Sequence, residues 1–298
     1  MESASSVADL LAVLAEQGVI PAESRHPIYR GQTDIAWKLL PGISRWPYQG
    51  PQAYCRSDSD KSIERSLLVL FREHAGALLD DFVRSGTSKE RSWKQLLIAQ
   101  HHGLPTRLLD WSTNPLVGLY FAVLDPQRKC ARPHCSHCGL DSSRDSSSGA
   151  SASEGEPSVR EHDFALHVLH GRECFTLEGL ARQEQNGAAP LYKSGDRPGV
   201  LRPPSIDRRI SAQGGMFTIQ RDPGKPIEPD LSIRIPHASR DGLLRELDAL
   251  GVNHSTLFPD LDGLAAHLRW SARFLGAGRG VDPSPVPPED RDGGESPV

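Results

Sequence analysis

Apolar residues recur at three- and four-residue spacings through the first half of the chain, a pattern typical of amphipathic helices. This spacing predicts helices over residues 7–17, 62–84 and 89–100. Asn114 followed by Pro115 is a typical helix start and predicts a short apolar helix that ends at Val123. Residues 28–37 carry aromatic and β-branched side chains and predict a strand with a turn.

The second half of the chain contains most of the predicted strands. Strands are predicted over residues 164–169, 208–220 and 231–236, and helices over 241–250 and 260–275. Helices come first and strands later, without a regular strand–helix–strand alternation, which favours an α+β fold. We expect one domain over residues 1–275, in which N-terminal helices pack on a mixed or antiparallel sheet.

Two segments lack the large apolar residues that a core needs. Residues 125–160 form an insertion whose stretch from Ser142 to Ser158 is dominated by Ser, Gly, Ala and Glu, and residues 276–298 form a tail rich in Pro, Gly and acidic residues. Such segments bury too little surface to offset the entropy lost on ordering. We expect both segments to be disordered, and we expect residues 142–158 and 276–298 to be removable without loss of the fold.

Composition narrows the class of protein. With 298 residues, 37% of them hydrophobic, the chain can bury a substantial core, and its net charge of −4 provides no general basic field for nucleic acid. No run approaches the roughly 18–20 apolar residues of a membrane span, and the N-terminus lacks the pattern of a signal peptide. These features predict a soluble, cytoplasmic protein with no membrane partner.

The densest group of reactive side chains lies between Gln100 and Phe121. Two histidines, an arginine, an aspartate, a tryptophan and a Ser-Thr pair occur there, interrupted by glycine and proline. The stretch is too irregular for one helix and too polar for a plain core strand, so it predicts a loop held between two buried elements. Loops in that position often carry binding and catalytic residues.

Four ordered blocks of sequence form a recognisable pattern. They begin with Ile28-Tyr29-Arg30-Gly31-Gln32, and the later blocks cover residues 99–111, 210–218 and 257–265. This order resembles the FRG domain family, which is named for an aromatic-Arg-Gly motif, over roughly residues 28–270. The resemblance implies that the motif and the 100–113 stretch form the functional site. The ligand-binding candidates are Tyr29, Arg30, Gly31, Gln32, Arg107, Asp110 and Trp111.

Arg30 is the first candidate for contact with a ligand. Its planar guanidinium offers five donors, which suit phosphate or carboxylate, and Gly31 allows another backbone or a ligand to approach closely. The alternative is a structural arginine paired with Asp110 or Asp34. Trp111 also has two interpretations, because it suits stacking on a base or nicotinamide ring but such a residue is more often part of the core.

The histidines and the charged residues after them are open to similar alternatives. His101 and His102 end a predicted helix, where the partial negative charge of the C-terminus favours a protonated imidazole. One of them could act as a general acid or contact phosphate, or both could simply cap the helix. Arg107 and Asp110 stand three residues apart and could pair with each other, either structurally or as part of the site.

Ser112 and Thr113 precede a predicted helix, so helix capping explains them without a further role. They are also similar to the second motif of Arg-Ser-Glu-type ADP-ribosyltransferases, in which an early strand arginine holds the NAD phosphates. On this comparison Arg30 matches the first motif and Gln213 lies near the third, although the catalytic glutamate of that motif is absent. A glutamine amide forms hydrogen bonds but supplies no charge to the transition state.

A cysteine cluster lies within the insertion. Cys130, Cys135 and Cys138 give the spacing C-x4-C-x2-C, with His134 and His137 interleaved. The fourth ligand could be His134, His137 or Cys174. A Cys-x-x-Cys pair is a recurrent zinc-knuckle geometry, and the alternative is a loop with free thiols. Because the cluster lies outside the family blocks, a bound zinc ion would be structural or peripheral rather than catalytic.

Three functions are compatible with these residues. The first is an NAD-dependent ADP-ribosyltransferase that modifies a protein or nucleic acid; its catalytic candidates are His101, His102, Ser112, Thr113 and Gln213. The second is a non-catalytic module that binds a nucleotide or nucleic acid through charge and stacking. The third, a phosphodiester-cleaving toxin with His102 as base, lacks a second histidine of assigned geometry.

Overall fold

The computed structural model describes residues 1–21, 27–45, 57–76, 78–79, 81–124, 162–186, 197–204 and 207–275. The insertion expected at 125–160 and the tail from residue 276 lie outside the described residues. The predicted disorder of both segments, and zinc binding by Cys130, His134, Cys135 and Cys138, therefore stay predictions.

Eight strands among the described residues form one mixed sheet. They are β1 (Glu2–Ser3), β2 (Ile28–Gln32), β3 (Leu109–Ser112), β4 (Phe164–Leu169), β5 (Cys174–Thr176), β6 (Gly199–Arg202), β7 (Gly215–Ile219) and β8 (Leu231–Ile235). The order across the sheet is β1-β8-β4-β2-β3-β7-β6-β5. The two outer pairs, β1/β8 and β5/β6, are parallel, and the pairs between them are antiparallel.

Helices are interleaved irregularly with these strands along the chain. They are α1 (Val7–Glu16), α2 (Gly42–Arg45), α3 (Ser57–His74), α4 (Asp81–Arg84), α5 (Ser88–His101), α6 (Pro115–Val123), α7 (Leu177–Gln185), α8 (Arg208–Ala212), α9 (Arg240–Ala249), α10 (His254–Leu257) and α11 (Leu261–Leu275). Within the described parts of the chain, none of them is long and apolar enough to cross a membrane. The predicted fold class, helices on a mixed sheet, is confirmed.

The two faces of the sheet are covered differently. On one face, α1, α6 and α9 pack over β2, β4 and β8, and α5 and α7 pack over β6 and β7. The other face carries a smaller cluster, in which Ile28 and Trp111 meet Leu39 and Ile227 from loops. Because side chains alternate between faces along a strand, each strand contributes to both a helix-covered and a loop-covered surface.

Capping side chains explain where the helices begin. Ser6 accepts a hydrogen bond from the backbone of Asp9 at the start of α1, and Thr87 accepts one from the backbone of Glu90 at the start of α5. Asn114 accepts from the N–H of Leu116 at the start of α6. Each cap satisfies a backbone donor that a helix N-terminus leaves without an intrahelical partner. The predicted helices over 7–17, 89–100 and 115–123 are confirmed within a residue or so at their ends.

Three local predictions are wrong. The helix predicted over 62–84 is interrupted after His74, and a separate turn of helix, α4, begins at Asp81; glycine at position 76 lowers helix propensity at the interruption. The strand predicted over 208–220 is a helix in its first part, because Asp207 caps α8, and β7 begins only at Gly215. The helices α2, α7 and α10 and the strands β1, β5 and β6 were not predicted.

The third wrong prediction concerns the polar stretch from Gln100 to Phe121. Residues 109–112, predicted as part of a loop, form β3 in the middle of the sheet. Leu109 and Trp111 are buried in the cluster on the loop-covered face, whereas Asp110 is exposed. Side chains alternate between the two faces of a strand, so Asp110 can be exposed while its neighbours are buried. A polar residue in this stretch is therefore compatible with a strand in the middle of the sheet.

Candidate functional site

The sheet opens between β2 and β3. These strands pair at a single position, Tyr29 with Ser112, whereas β2 pairs with β4 over five positions and β3 with β7 over four. Beyond the Tyr29–Ser112 pair, the Arg30 side chain reaches across, and its Nη1 donates a hydrogen bond to the carbonyl oxygen of Asp110 over 2.6 Å. The Arg30 side chain therefore takes the place of a backbone hydrogen bond to β3, at a position where the backbones of β2 and β3 no longer pair.

Arg30 retains unused hydrogen-bonding capacity. Its Nε is buried and has no hydrogen-bond acceptor, and no carboxylate among the described residues forms an ion pair with it. Burial is the main reason why the pKa of Arg30 is lowered to about 10; Asp110 opposes this shift and Arg45 adds to it. The guanidinium is still a cation at neutral pH. A buried donor without an acceptor costs free energy, so this position favours an anionic ligand.

A buried histidine stands next to Arg30 on the neighbouring strand. His167 pairs with Arg30 across β2 and β4, and burial, followed by the charge of Arg30, lowers its pKa to about 4. The imidazole is therefore neutral at pH 7. Its Nε2 lies 3.0 Å from the Gln32 amide oxygen and its Nδ1 lies 2.8 Å from the Ser232 hydroxyl. These partners assign the proton to Nε2, which donates to Gln32, while Nδ1 accepts from Ser232.

Sequence reasoning did not select His167 as a functional residue. The available signal was a histidine in the otherwise apolar run of residues 164–169. Gln32, a predicted ligand-binding residue, is buried, and the other end of its amide faces the carbonyl oxygen of Lys38. The hydrogen bond between Gln32 and His167 thus holds both side chains in place beside Arg30.

Asp110 is the exposed acid at the opening. Its carboxylate accepts a hydrogen bond of 2.9 Å from the Gln100 amide, and Gln100 in turn accepts one of 2.6 Å from the Thr106 hydroxyl. The pairing of Asp110 with Arg107 that their spacing suggested does not occur. Arg107 instead binds Glu64 of α3 through both its side chain and its backbone N–H.

Ser112, Thr113 and Gln213 come together where β3 ends and β7 begins. The Ser112 hydroxyl donates to the carbonyl oxygen of Gln213 over 2.7 Å and accepts from the N–H of Asn114 over 3.0 Å. The Gln213 amide donates to the carbonyl oxygen of Leu257 over 3.0 Å. The hydroxyl of Ser112 and the amide of Gln213 therefore hold adjacent turns together, and Thr113 is exposed beside them.

The two histidines differ in their surroundings. His101 Nε2 lies 3.3 Å from an oxygen of Asp207, yet burial lowers the pKa of His101 more than Asp207 raises it. This direction is opposite to the one expected from the helix C-terminus. His102 is exposed, and its backbone N–H closes the last turn of α5 by bonding to Ile98. The structure thus gives His102 a capping position.

Three predicted ligand-binding residues are part of the packed interior. Tyr29 is buried against α6, and burial raises its pKa to about 12. Gly31 lies directly under the backbone of α6. Trp111 is buried, and its indole N–H donates to the Thr218 hydroxyl over 2.9 Å. For these residues the observed contacts are with the protein itself.

The described residues contain no cluster of three or more histidine, cysteine, aspartate or glutamate side chains that could hold a metal ion. The cysteines of the predicted zinc knuckle lie outside the described parts of the chain.

Comparison with known proteins identifies a family over part of the chain. Residues 25–130, a range shorter than half of the chain, match the family model of the FRG domain. This range includes β2, α5, β3 and α6, and therefore both strands of the opening. The later blocks at 210–218 and 257–265 lie outside it. No curated protein and no solved structure matches the chain.

Proposed function

Since residues 25–130 match the model of the FRG domain, we propose that this part of the chain binds the phosphates of a nucleotide at the opening between β2 and β3, with NAD as the foremost candidate. We further propose that the protein is an ADP-ribosyltransferase-like enzyme. The first statement concerns the ligand and the second the reaction, and different observations support them.

Arg30 carries the proposal for the ligand. A diphosphate presents several anionic oxygens, and the fork of a guanidinium can bind two of them at once. The buried Nε of Arg30 lacks an acceptor, so a phosphate oxygen would satisfy a donor that the protein leaves unpaired. Arg45 lies close enough to lower the pKa of Arg30 by its charge. An anionic ligand would relieve this repulsion between two cations.

The arrangement of strands supports the proposal for the reaction. The three motif positions, Arg30, Ser112 and Gln213, belong to β2, β3 and the turn before β7, and these three strands are neighbours in the sheet. Residues far apart in sequence thus come from one side-by-side set of strands. Ser112 shares the face of its partner Tyr29, and Arg30 starts from the opposite face and reaches β3 across the opening. Similarity to the motif order of ADP-ribosyltransferases predicts such an arrangement, because arginine, serine and the third-motif residue act on one NAD molecule in those enzymes.

Asp110 is an acid whose charge acts on Arg30. The glutamate of the third motif is absent, and the Gln213 amide is already bonded to Leu257. The Asp110 carboxylate is exposed and acts on the charges of both Arg30 and His101. A carboxylate beside a reacting ribose stabilises developing positive charge, a contribution typically worth several kcal/mol. We assign this role to Asp110, and Gln213 to holding the turn.

A non-catalytic nucleotide-binding module is the second candidate. The engagement of Ser112 and Gln213 in bonds that hold turns together favours it, because neither group is left unpaired for chemistry. The two candidates share the Arg30 site and differ only in whether the bound nucleotide then reacts.

Thermal melts with and without NAD test the ligand. We expect NAD to raise the melting temperature of the wild type, and ADP-ribose to do the same because it carries the diphosphate. Arg30→Lys keeps a positive charge but loses the fork, so affinity should fall by roughly 10- to 150-fold, as for a charge-assisted hydrogen bond. Arg221→Lys, a change at an exposed residue, is the matched control. The absence of any NAD-dependent shift in the wild type would refute NAD binding.

Incubation with NAD labelled in its adenylate part, in the presence of cell lysate, tests the reaction. Transfer of label to a macromolecule, lost in Asp110→Asn, supports the enzyme. NAD binding without transfer or NAD consumption contradicts the enzyme and supports the binding module. Transfer that persists unchanged in Asp110→Asn refutes the assigned role of Asp110 alone.

A further inference from the structure

A cavity of about 290 Å³ lies between the C-terminal half of α6 and the helices α9, α10 and α11. None of the residues at the β2/β3 opening lines it. Apart from Tyr120 of α6 and Leu124, the residue directly after α6, its walls come from residues beyond the range that matches the FRG domain.

Aromatic side chains form part of the wall. The Tyr120 hydroxyl lies 3.0 Å from Nδ1 of His254, and burial is the main cause that lowers the pKa of His254. A neutral His254 at pH 7 presents an uncharged ring. Trp270 lies nearby on α11, stacked on His267 with ring centroids 6.0 Å apart. Such rings suit contact with the flat face of a heteroaromatic base.

The same cavity carries an excess of positive charge. Arg240, Arg269 and Arg273 line it, against one lining acid, Asp248; Arg240 also forms an ion pair with Asp241. Arg240 is held in place, since its guanidinium donates to the carbonyl oxygens of Val123 and Leu124 at the end of α6.

The two other arginines have free hydrogen-bonding capacity. Arg269 and Arg273 are exposed and stand four residues apart, which places them on the same side of α11. Neither forms a hydrogen bond or ion pair with another residue in the described parts of the chain. Two neighbouring guanidinium groups without acceptors favour a dianionic group such as phosphate.

Size restricts the ligand. A volume of about 290 Å³ is at the lower end for small-molecule sites, which span about 300–1,000 Å³. A single nucleotide unit fits such a volume, whereas a dinucleotide such as NAD requires about twice the space. A cavity bordered by four helices also lacks the continuous groove that would track the backbone of a nucleic acid strand.

We infer that this cavity is a second ligand site, which binds a nucleoside monophosphate with its base against Trp270 and His254 and its phosphate on Arg269 and Arg273. The inference does not depend on the function proposed for the opening. A mononucleotide here would link α6, which packs over β2, to the C-terminal helix α11.

Titration calorimetry with adenosine monophosphate tests the phosphate contacts. The full-length protein should bind it, and should bind adenosine and inorganic phosphate much more weakly. Arg269→Gln and Arg273→Gln should each weaken binding about tenfold or more. Arg221→Gln, which removes one exposed charge elsewhere, should leave the affinity unchanged.

Tryptophan fluorescence tests the base contact. Adenosine monophosphate should quench the emission of the wild type, and Trp270→Phe should remove this quenching while calorimetry still detects binding. Three results would overturn the inference: no binding at millimolar concentration, equal affinity for inorganic phosphate, or loss of binding in Arg221→Gln. Quenching that survives in Trp270→Phe would also contradict it.

Discussion

The Cβ atom that Gly31 lacks would lie 2.1 Å from the carbonyl oxygen of Gly118. It would also lie 2.2 Å from the backbone nitrogen of Ala122, so α6 crosses directly over β2 at this point. Gly118 contributes to the same approach, because its own missing Cβ would meet Tyr29 at 3.0 Å. The glycine of the aromatic-Arg-Gly motif is thus required by the close contact between a strand and a helix.

Gly31→Ala should therefore be strongly destabilising. Both clashing atoms belong to the backbone and cannot rotate away, so we expect a loss of about 3 kcal/mol or more in the free energy of unfolding. Chemical denaturation measures it. Gly242→Ala in α9 is the control: a Cβ there meets nothing within 4 Å, and the change should stabilise by about 0.4–1 kcal/mol. A mildly affected Gly31→Ala protein would contradict the described packing.

Arg107 should contribute to stability and not to ligand binding. Glu64 is 4% exposed, so Arg107→Leu leaves a buried carboxylate without its partner, at a cost of about 3–5 kcal/mol. Adding Glu64→Gln to this variant should recover much of the loss, because the charge disappears while the amide oxygen still accepts from the backbone. Denaturation of the single and double variants gives the comparison. An Arg107→Leu protein of normal stability and weakened NAD binding would assign Arg107 to the ligand instead.

The hydrogen bond between Trp111 and Thr218 should stabilise the interior. Thr218 is 1% exposed, and Thr218→Val conserves its shape but leaves the indole N–H buried without an acceptor. We expect a loss of about 1–3 kcal/mol. In a Trp111→Phe background the same change should cost little, because no donor remains. If both backgrounds lose equally, the two residues are not coupled in the way the structure describes.

Protonation of His167 should destabilise the protein at acidic pH. Its pKa is about 4 in the folded state, below the ordinary value of about 6.5, so the unfolded chain binds the proton more readily. The contribution of neutral His167 to the free energy of unfolding is fully present above about pH 6.5 and is lost as the pH falls towards 4. It amounts to about 2 kcal/mol between pH 7 and pH 5. His167→Gln should show a shallower decline over this range; an identical pH dependence would contradict the assignment.

Local sequence was sufficient for the elements whose signals lie within a few residues. The start of α6 was predicted from Asn114 and Pro115, because a cap and the residues that it satisfies are neighbours in sequence. The strands around Phe164–Leu169 and Leu231–Ile235 were predicted from their composition and alternation. The same reasoning singled out Arg30 and the 100–113 stretch, and both contribute to the opening in the sheet.

Partners far apart in sequence were decided only by the tertiary structure. Arg107 could pair with Asp110 by spacing, yet it binds Glu64, 43 residues earlier. Trp111 bonds to a residue 107 positions later. A side chain takes whichever partner the packing of strands and helices brings within about 3 Å, and sequence spacing carries no information about that.

Arg30 shows the same difference between what the sequence indicates and what the tertiary structure decides. Residue type and motif identified it as a candidate for anion binding, because those properties belong to the residue itself. Its contact with Asp110, 80 residues away, and its buried Nε without an acceptor arise only because β2 and β3 pair at one position and then separate. The sequence by itself therefore determined which groups were available for chemistry. The pairing of the sheet decided which of them remained unpaired, because a donor is left free only where the surrounding backbone offers no acceptor.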